Sequence, residues 1–148
     1  MIADLASRLA AHEEWLSSLG QSGQQLVLVG ADLAGVDLSG RNLTEADLAE
    51  ANLSNANLSE TNLFGANLAS ANLECAALVT ADLTKANLDH ARLFRADLRN
   101  ARAFRASFAS ADLTDANLTG ADLRLAYLHG AKLDGAKGLD GSQASTET

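Results

Sequence analysis

The sequence predicts an all-β solenoid over residues 24–137, preceded by an α-helix, on three observations. A large apolar residue recurs every fifth position from Leu33 to Leu133, in 20 of the 21 places that spacing offers. A small residue stands two positions before most of these centres and Asp or Asn usually stands one before, so the chain reads Ala-(Asp/Asn)-Leu-x-x from Ala31 onward. No insertion breaks the register as far as Leu133.

A five-residue apolar period excludes the two simple backbones. In an α-helix a step of five turns the side chain by about 140°, which would smear the leucines around the whole surface. In a flat strand an odd step sends successive leucines to opposite faces. The chain must therefore turn within every pentapeptide, with the small residue and the centre pointing inward and the others outward. Such a unit cannot bury its apolar face alone and must stack on copies of itself.

Runs such as Ala46-Asp47-Leu48, Ala51-Asn52-Leu53 and Ala56-Asn57-Leu58 resemble the pentapeptide repeat family, and the resemblance covers roughly residues 26–137. It implies a right-handed quadrilateral β-helix with four units to a square coil. The 21 units then make about five coils, a rod about 25 Å long at the strand spacing of a sheet.

The ends depart from the repeat. Residues 1–20 read as a capping helix: Leu5, Leu9, Leu16 and Leu19, with Trp15, fall near one helical face, Asp4, Arg8, Glu13 and Glu14 take much of the rest, and Gly20 is a stop signal. A helix there would cover the apolar, unpaired end of the first coil. Leu26 and Leu28 are in phase with the later inward positions, which makes residues 24–29 the lead-in strand. Arg41 occupies an inward slot that is usually Ala, so it is expected at the N-terminal mouth, reaching Glu13, Glu14 or helix carbonyls. Residues 138–148 read as a disordered C-terminal tail, and with no second helix the C-terminal end is a candidate surface for a homodimer.

Composition narrows the class. The 148 residues suit one domain, and 47% apolar residues with 4% aromatics describe a core of Leu and Ala layers. The single cysteine, Cys75, falls at an outward position and permits no internal disulfide. No apolar run is long enough to span a membrane and the N-terminus lacks the pattern of a signal peptide, so the expectation is a soluble cytoplasmic protein without membrane association. His90 and His129 fall two coils apart, too far to share a metal, and no nucleophile has a neighbouring base. No enzyme activity and no cofactor is expected.

Function is sought where the repeat is irregular. Ala103 is the one centre without a large side chain and the next centre, Phe108, is the one aromatic centre, a pairing that conserves core volume. Among outward positions, Arg92, Arg95, Arg99, Arg102 and Arg105 face only Asp97 within residues 92–105, a local balance of +4, with Phe94 and Phe104 outward between them. Counting units in fours puts Thr44, Phe64, Thr84, Phe104 and Arg124 in one column. The candidate protein-contact residues are Phe64, Lys85, Phe94, Arg102, Phe104, Arg105 and Arg124. The alternative is that arginine stems cover exposed rings while their charges pair with Asp82 and Asp122.

Charge divides the chain: residues 1–80 carry −8 and residues 81–148 carry zero. The function expected is a non-catalytic, rigid protein–protein interaction module. Some members of the family it resembles mimic the width and acidity of duplex DNA and protect DNA gyrase and other type II topoisomerases; net −8 suits that alternative, whereas the uninterrupted register, the Leu centres and the arginines weigh against it. Direct nucleic-acid binding by the belt is opposed by a pI near 4.7.

Overall fold

The computed structural model describes residues 2–140 and the backbone of 144–145. One helix, α1 (Leu5–Ser17), precedes a continuous series of pentapeptide turns. Parallel bridges join each residue before a centre to the residue twenty later, from Val27 with Asp47 to Asn117 with Lys137. A coil is therefore twenty residues, or four pentapeptides. Each straight segment is so short that, among the described residues, only the two-residue strands β1 (Ala126–Tyr127) and β2 (Ala144–Ser145) extend beyond single bridges.

The pentapeptide around Leu63 shows how the backbone is satisfied. Leu63 N–H donates to the Asp82 carbonyl (2.8 Å), Gly65 N–H to Thr84 (2.9 Å) and Asn67 N–H to Ala46 (2.9 Å), all between coils. Ala66 N–H closes the turn on Leu63 (3.0 Å). The fifth N–H, that of Phe64, donates to Asn62 Oδ1 (3.0 Å). Only an acceptor oxygen two residues back is required, which is why Asp and Asn interchange before the centre; the same cap recurs from Asp82 to Thr84 and from Asp112 to Thr114. Side chains add a ladder between coils, as where Asn67 Nδ2 donates to Asp47 Oδ1 at 3.0 Å.

The second residue after each centre lies at positive φ, and fifteen of these 22 corner residues are not glycine. An L-residue in that region costs roughly 1 kcal/mol or more. It is held there because its N–H bonds the next coil, as for Lys85 to Phe104 at 3.0 Å. Glycine is demanded at Gly138, which stands where the next centre would fall: a Cβ there would lie 2.4 Å from Thr119 N. The leucine register ends at that residue for a steric reason.

The core is a file of Leu and Ala from Leu26 to Leu128, joined by Leu9 of α1. Ala103 and Phe108 are both fully buried in it, on adjacent sides of one coil. Thr61, in an inward slot, is also fully buried; its hydroxyl donates to the Leu38 carbonyl at 2.9 Å. Sequence reading passed over it.

α1 is fastened to the first coil through the backbone of the lead-in strand. Gln24 N–H donates to Ala11 O (3.0 Å), and Leu26 N–H donates to His12 Nδ1 (3.0 Å). Gly23 allows the approach, since a Cβ there would lie 2.3 Å from Ala11 O. His12 is fully buried and stacks on Trp15 with ring centroids 5.6 Å apart. Arg41 sits half exposed with its guanidinium 3.4 Å from Glu13, as its misfit in an inward slot demands. Leu19 departs from the expected helical face: it follows the helix, at φ 56°, and is 89% exposed.

At the other end, Ala126–Tyr127 pair in parallel with Ala144–Ser145. The part of the expected disordered tail from residue 141 on otherwise lies outside the described residues. No helix among the described residues is long and apolar enough to cross a membrane.

Ala103→Leu overpacks the file and should lower unfolding stability by about 1–3 kcal/mol, whereas Ala103→Leu with Phe108→Leu should recover most of it in urea titrations. Burial lowers the His12 pKa from its ordinary 6.5, outweighing the opposing effects of the Thr44 carbonyl and Glu13. Protonation would also cost the bond that Nδ1 accepts from Leu26. The unfolded chain then takes up the proton at higher pH than the folded one, so stability should fall as pH drops below 6.5. His12→Gln should flatten that slope in thermal melts between pH 7 and 5.

Candidate functional face

Four faces run along the rod, and residues twenty apart share one. The face whose centres are Leu43, Leu63, Leu83, Ala103 and Leu123 presents Thr44, Phe64, Thr84, Phe104 and Arg124 in the column after the centres. Its next corner column is Glu45, Gly65, Lys85, Arg105 and Leu125. Lys85 Nζ stands 5.5 Å from the Phe64 ring centroid. Phe104 lies between two guanidinium groups, Arg105 at 5.2 Å and Arg124 at 5.8 Å. Phe64 and Phe104 are half-buried, so their edges stay open to solvent.

Phe94 is not part of this cluster. Ten residues, half a coil, separate it from Phe104, which puts it on the opposite face, where Arg95 stacks on it at 5.0 Å. Both rings share one local context: at 92 and 102, Arg replaces the usual Asx, so no side-chain oxygen two residues back caps the N–H of either Phe. Arg also brings a long stem beside each ring.

Much of the belt's positive charge is neutralised within the rod. Arg102 is 3.5 Å from Asp82, Arg124 is 2.8 Å from Asp122, and Arg99 is 2.7 Å from Asp97. Arg92 pairs with Glu74. The local balance of +4 therefore does not survive folding, because carboxylates one coil away enter the count. Among the described residues, Lys85, Arg95 and Arg105 have no carboxylate within 4 Å. The Arg124 hydrogen bonds draw the Asp122 pKa down to about 2, and Arg99 lowers that of Asp97. These carboxylates stay ionised at any physiological pH and are fixed counterions rather than proton carriers.

At the N-terminal end of the same face an open groove of about 320 Å³ runs between Trp15, Leu16, Leu19 and Gly20 of the helical segment and Thr44 and Glu45 of the first coil. At its other end Leu125 is 60% exposed. No group of three or more potential metal ligands occurs among the described residues. Cys75 is an exposed corner residue on the Phe94 side. What this face offers chemically is contact: flat backbone, ring edges, two uncompensated cations and apolar ends.

Comparison with known proteins agrees with the geometry. The profile described as pentapeptide repeats matches residues 27–63, 61–100 and 104–137. No curated protein matches the chain. Among solved structures, a pentapeptide repeat protein from the cyanobacterium Cyanothece 51142 is 30% identical, with a TM-score of 0.61, over 89% of this chain and 93% of that one. One from the Arabidopsis thaliana thylakoid lumen is 27% identical, with a TM-score of 0.54, over 72% of this chain and 70% of that one. The fluoroquinolone resistance protein QnrB1 is 18% identical at a TM-score of 0.35, over 80% of this chain and 78% of that one, too distant to bear on function. With the family profile matched across most of its length, the chain belongs to the pentapeptide repeat family.

Proposed function

We infer that the protein is a non-catalytic interaction module: a right-handed quadrilateral β-helix of about five coils, covered at its N-terminal mouth by α1, that presents one flat face to a protein partner in the cytoplasm. The observation that carries this is Phe104 between Arg105 and Arg124, with Phe64 and Lys85 in line beneath it. Aromatic rings and arginines are enriched at contact surfaces relative to the rest of a protein's exterior. The rigid coil fixes them without the ordering cost that a loop would bear on binding. Shape alone suits mimicry of an acidic duplex, but Lys85, Arg102, Arg105 and Arg124 on this face favour a contact surface for protein.

Affinity capture from lysate with the native chain should retain a saturable partner. Phe104→Ala should weaken its binding about tenfold, in line with loss of a stacked aromatic, and Arg102→Ala should weaken it less because that arginine is already paired. The same check on Phe94→Ala, on the opposite face, should leave binding unchanged. Equal retention by the native chain and a correctly folded Phe104→Ala variant would exclude this face.

A further inference from the structure

The contact face changes character along its length. Its corner column reads Glu45, Gly65, Lys85, Arg105, Leu125, acidic at one end and cationic then apolar at the other. Beyond Glu45, across the groove, lies Leu19, the most exposed large apolar residue among those described, and Leu125 comes next at 60%. The column after the centres alternates small and large, as Thr44, Phe64, Thr84 and Phe104. Over the four coils from Thr44 to Arg105, the size pattern and the charge pattern are each the complement of their own reverse.

We propose that this face takes a second copy of the chain, docked antiparallel about a two-fold axis that runs along the strands. The proposal rests on the interaction-face reading above and names its partner. Such an axis sets each column against the same column reversed. One register satisfies the size and charge patterns together. Thr44 faces the partner's Phe104 and Phe64 faces the partner's Thr84, so each ring meets a small side chain. Glu45 faces the partner's Arg105, supplying the carboxylate that Arg105 lacks in its own chain. One coil further on, the partner's Leu125 falls opposite Gln25, whose side chain donates to the Glu45 carbonyl. The register displaced by one coil, with Phe64 against the partner's Phe104, would set Lys85 against the partner's Lys85 and Glu45 against the partner's Leu125. Like-charge opposition disfavours it.

A face roughly 12 Å wide and 25 Å long has a footprint on the order of 300 Å² per copy. That is well under the ~800 Å² of a standard interface, so the dimer is weak and concentration-dependent.

Sedimentation velocity of the full chain up to about 0.5 mM, a range suited to so small an interface, should show a monomer–dimer equilibrium. Glu45→Lys and Arg105→Glu should each weaken it at least tenfold, since each places like charges opposite one another twice per dimer. An equimolar mixture of the two variants should associate again, because every such pair then has opposite signs. Circular dichroism establishes that both variants keep the fold. A native chain that stays monomeric throughout, or variants that neither lose association alone nor regain it together, would overturn the proposal. If the native chain is monomeric while capture of another protein is lost on Phe104→Ala, the dimer falls and the interaction face stands. If Phe104→Ala changes neither association nor capture, both fall.

Discussion

The fold depends on giving the five backbone N–H groups of a pentapeptide an acceptor. Around Leu63 three are met by neighbouring coils and one by the turn, and the last is met by the side chain of Asn62, as it is wherever Asp or Asn so caps the residue after a centre. An unmet N–H away from water costs free energy comparable to a lost hydrogen bond. The sequence is regular because most steps use the same solution. Leu and Ala fill the interior only because the ladder holds them in register, and the left-handed corners persist only because their N–H groups are bound.

The fold was legible for that reason. A period of five admits neither helix nor flat strand, and Arg41 in an inward slot could be assigned to the mouth on the cost of burying a charge, where it meets Glu13. What the period does not encode was harder to see. Thr61 and His12 are polar residues that the interior accepts because each has a specific partner, Leu38 O and Leu26 N–H, and nothing in the pattern announces those partners. Leu19 fits a helical face by spacing but falls beyond the helix end, where the chain turns at positive φ.

The contact face was half legible, and the reason is geometric. Counting by fours collects Phe64, Lys85, Arg102, Phe104, Arg105 and Arg124 on one face, whereas sequence proximity drew Phe94 into the same group although it lies half a coil away. Charge misled in the same manner. Neighbours in this fold are eighteen to twenty residues apart as often as two, as Arg92 with Glu74 and Arg102 with Asp82 show. A local tally of arginines therefore overstates the field that the surface presents, while the cations of Lys85 and Arg105, each stacked on a ring, remain uncompensated.

The hydrogen bonds between coils all point along the rod. Tension applied to the two termini would thus load the coils in series, opening one seam of a few bonds before the next bears any force. The rod should peel from its ends at a low, nearly constant force instead of resisting as a block. A load across the rod meets the four sides together and is shared among them. A partner pressed against one face therefore meets a stiff plate, while a machine that grips a terminus finds a thread to unwind.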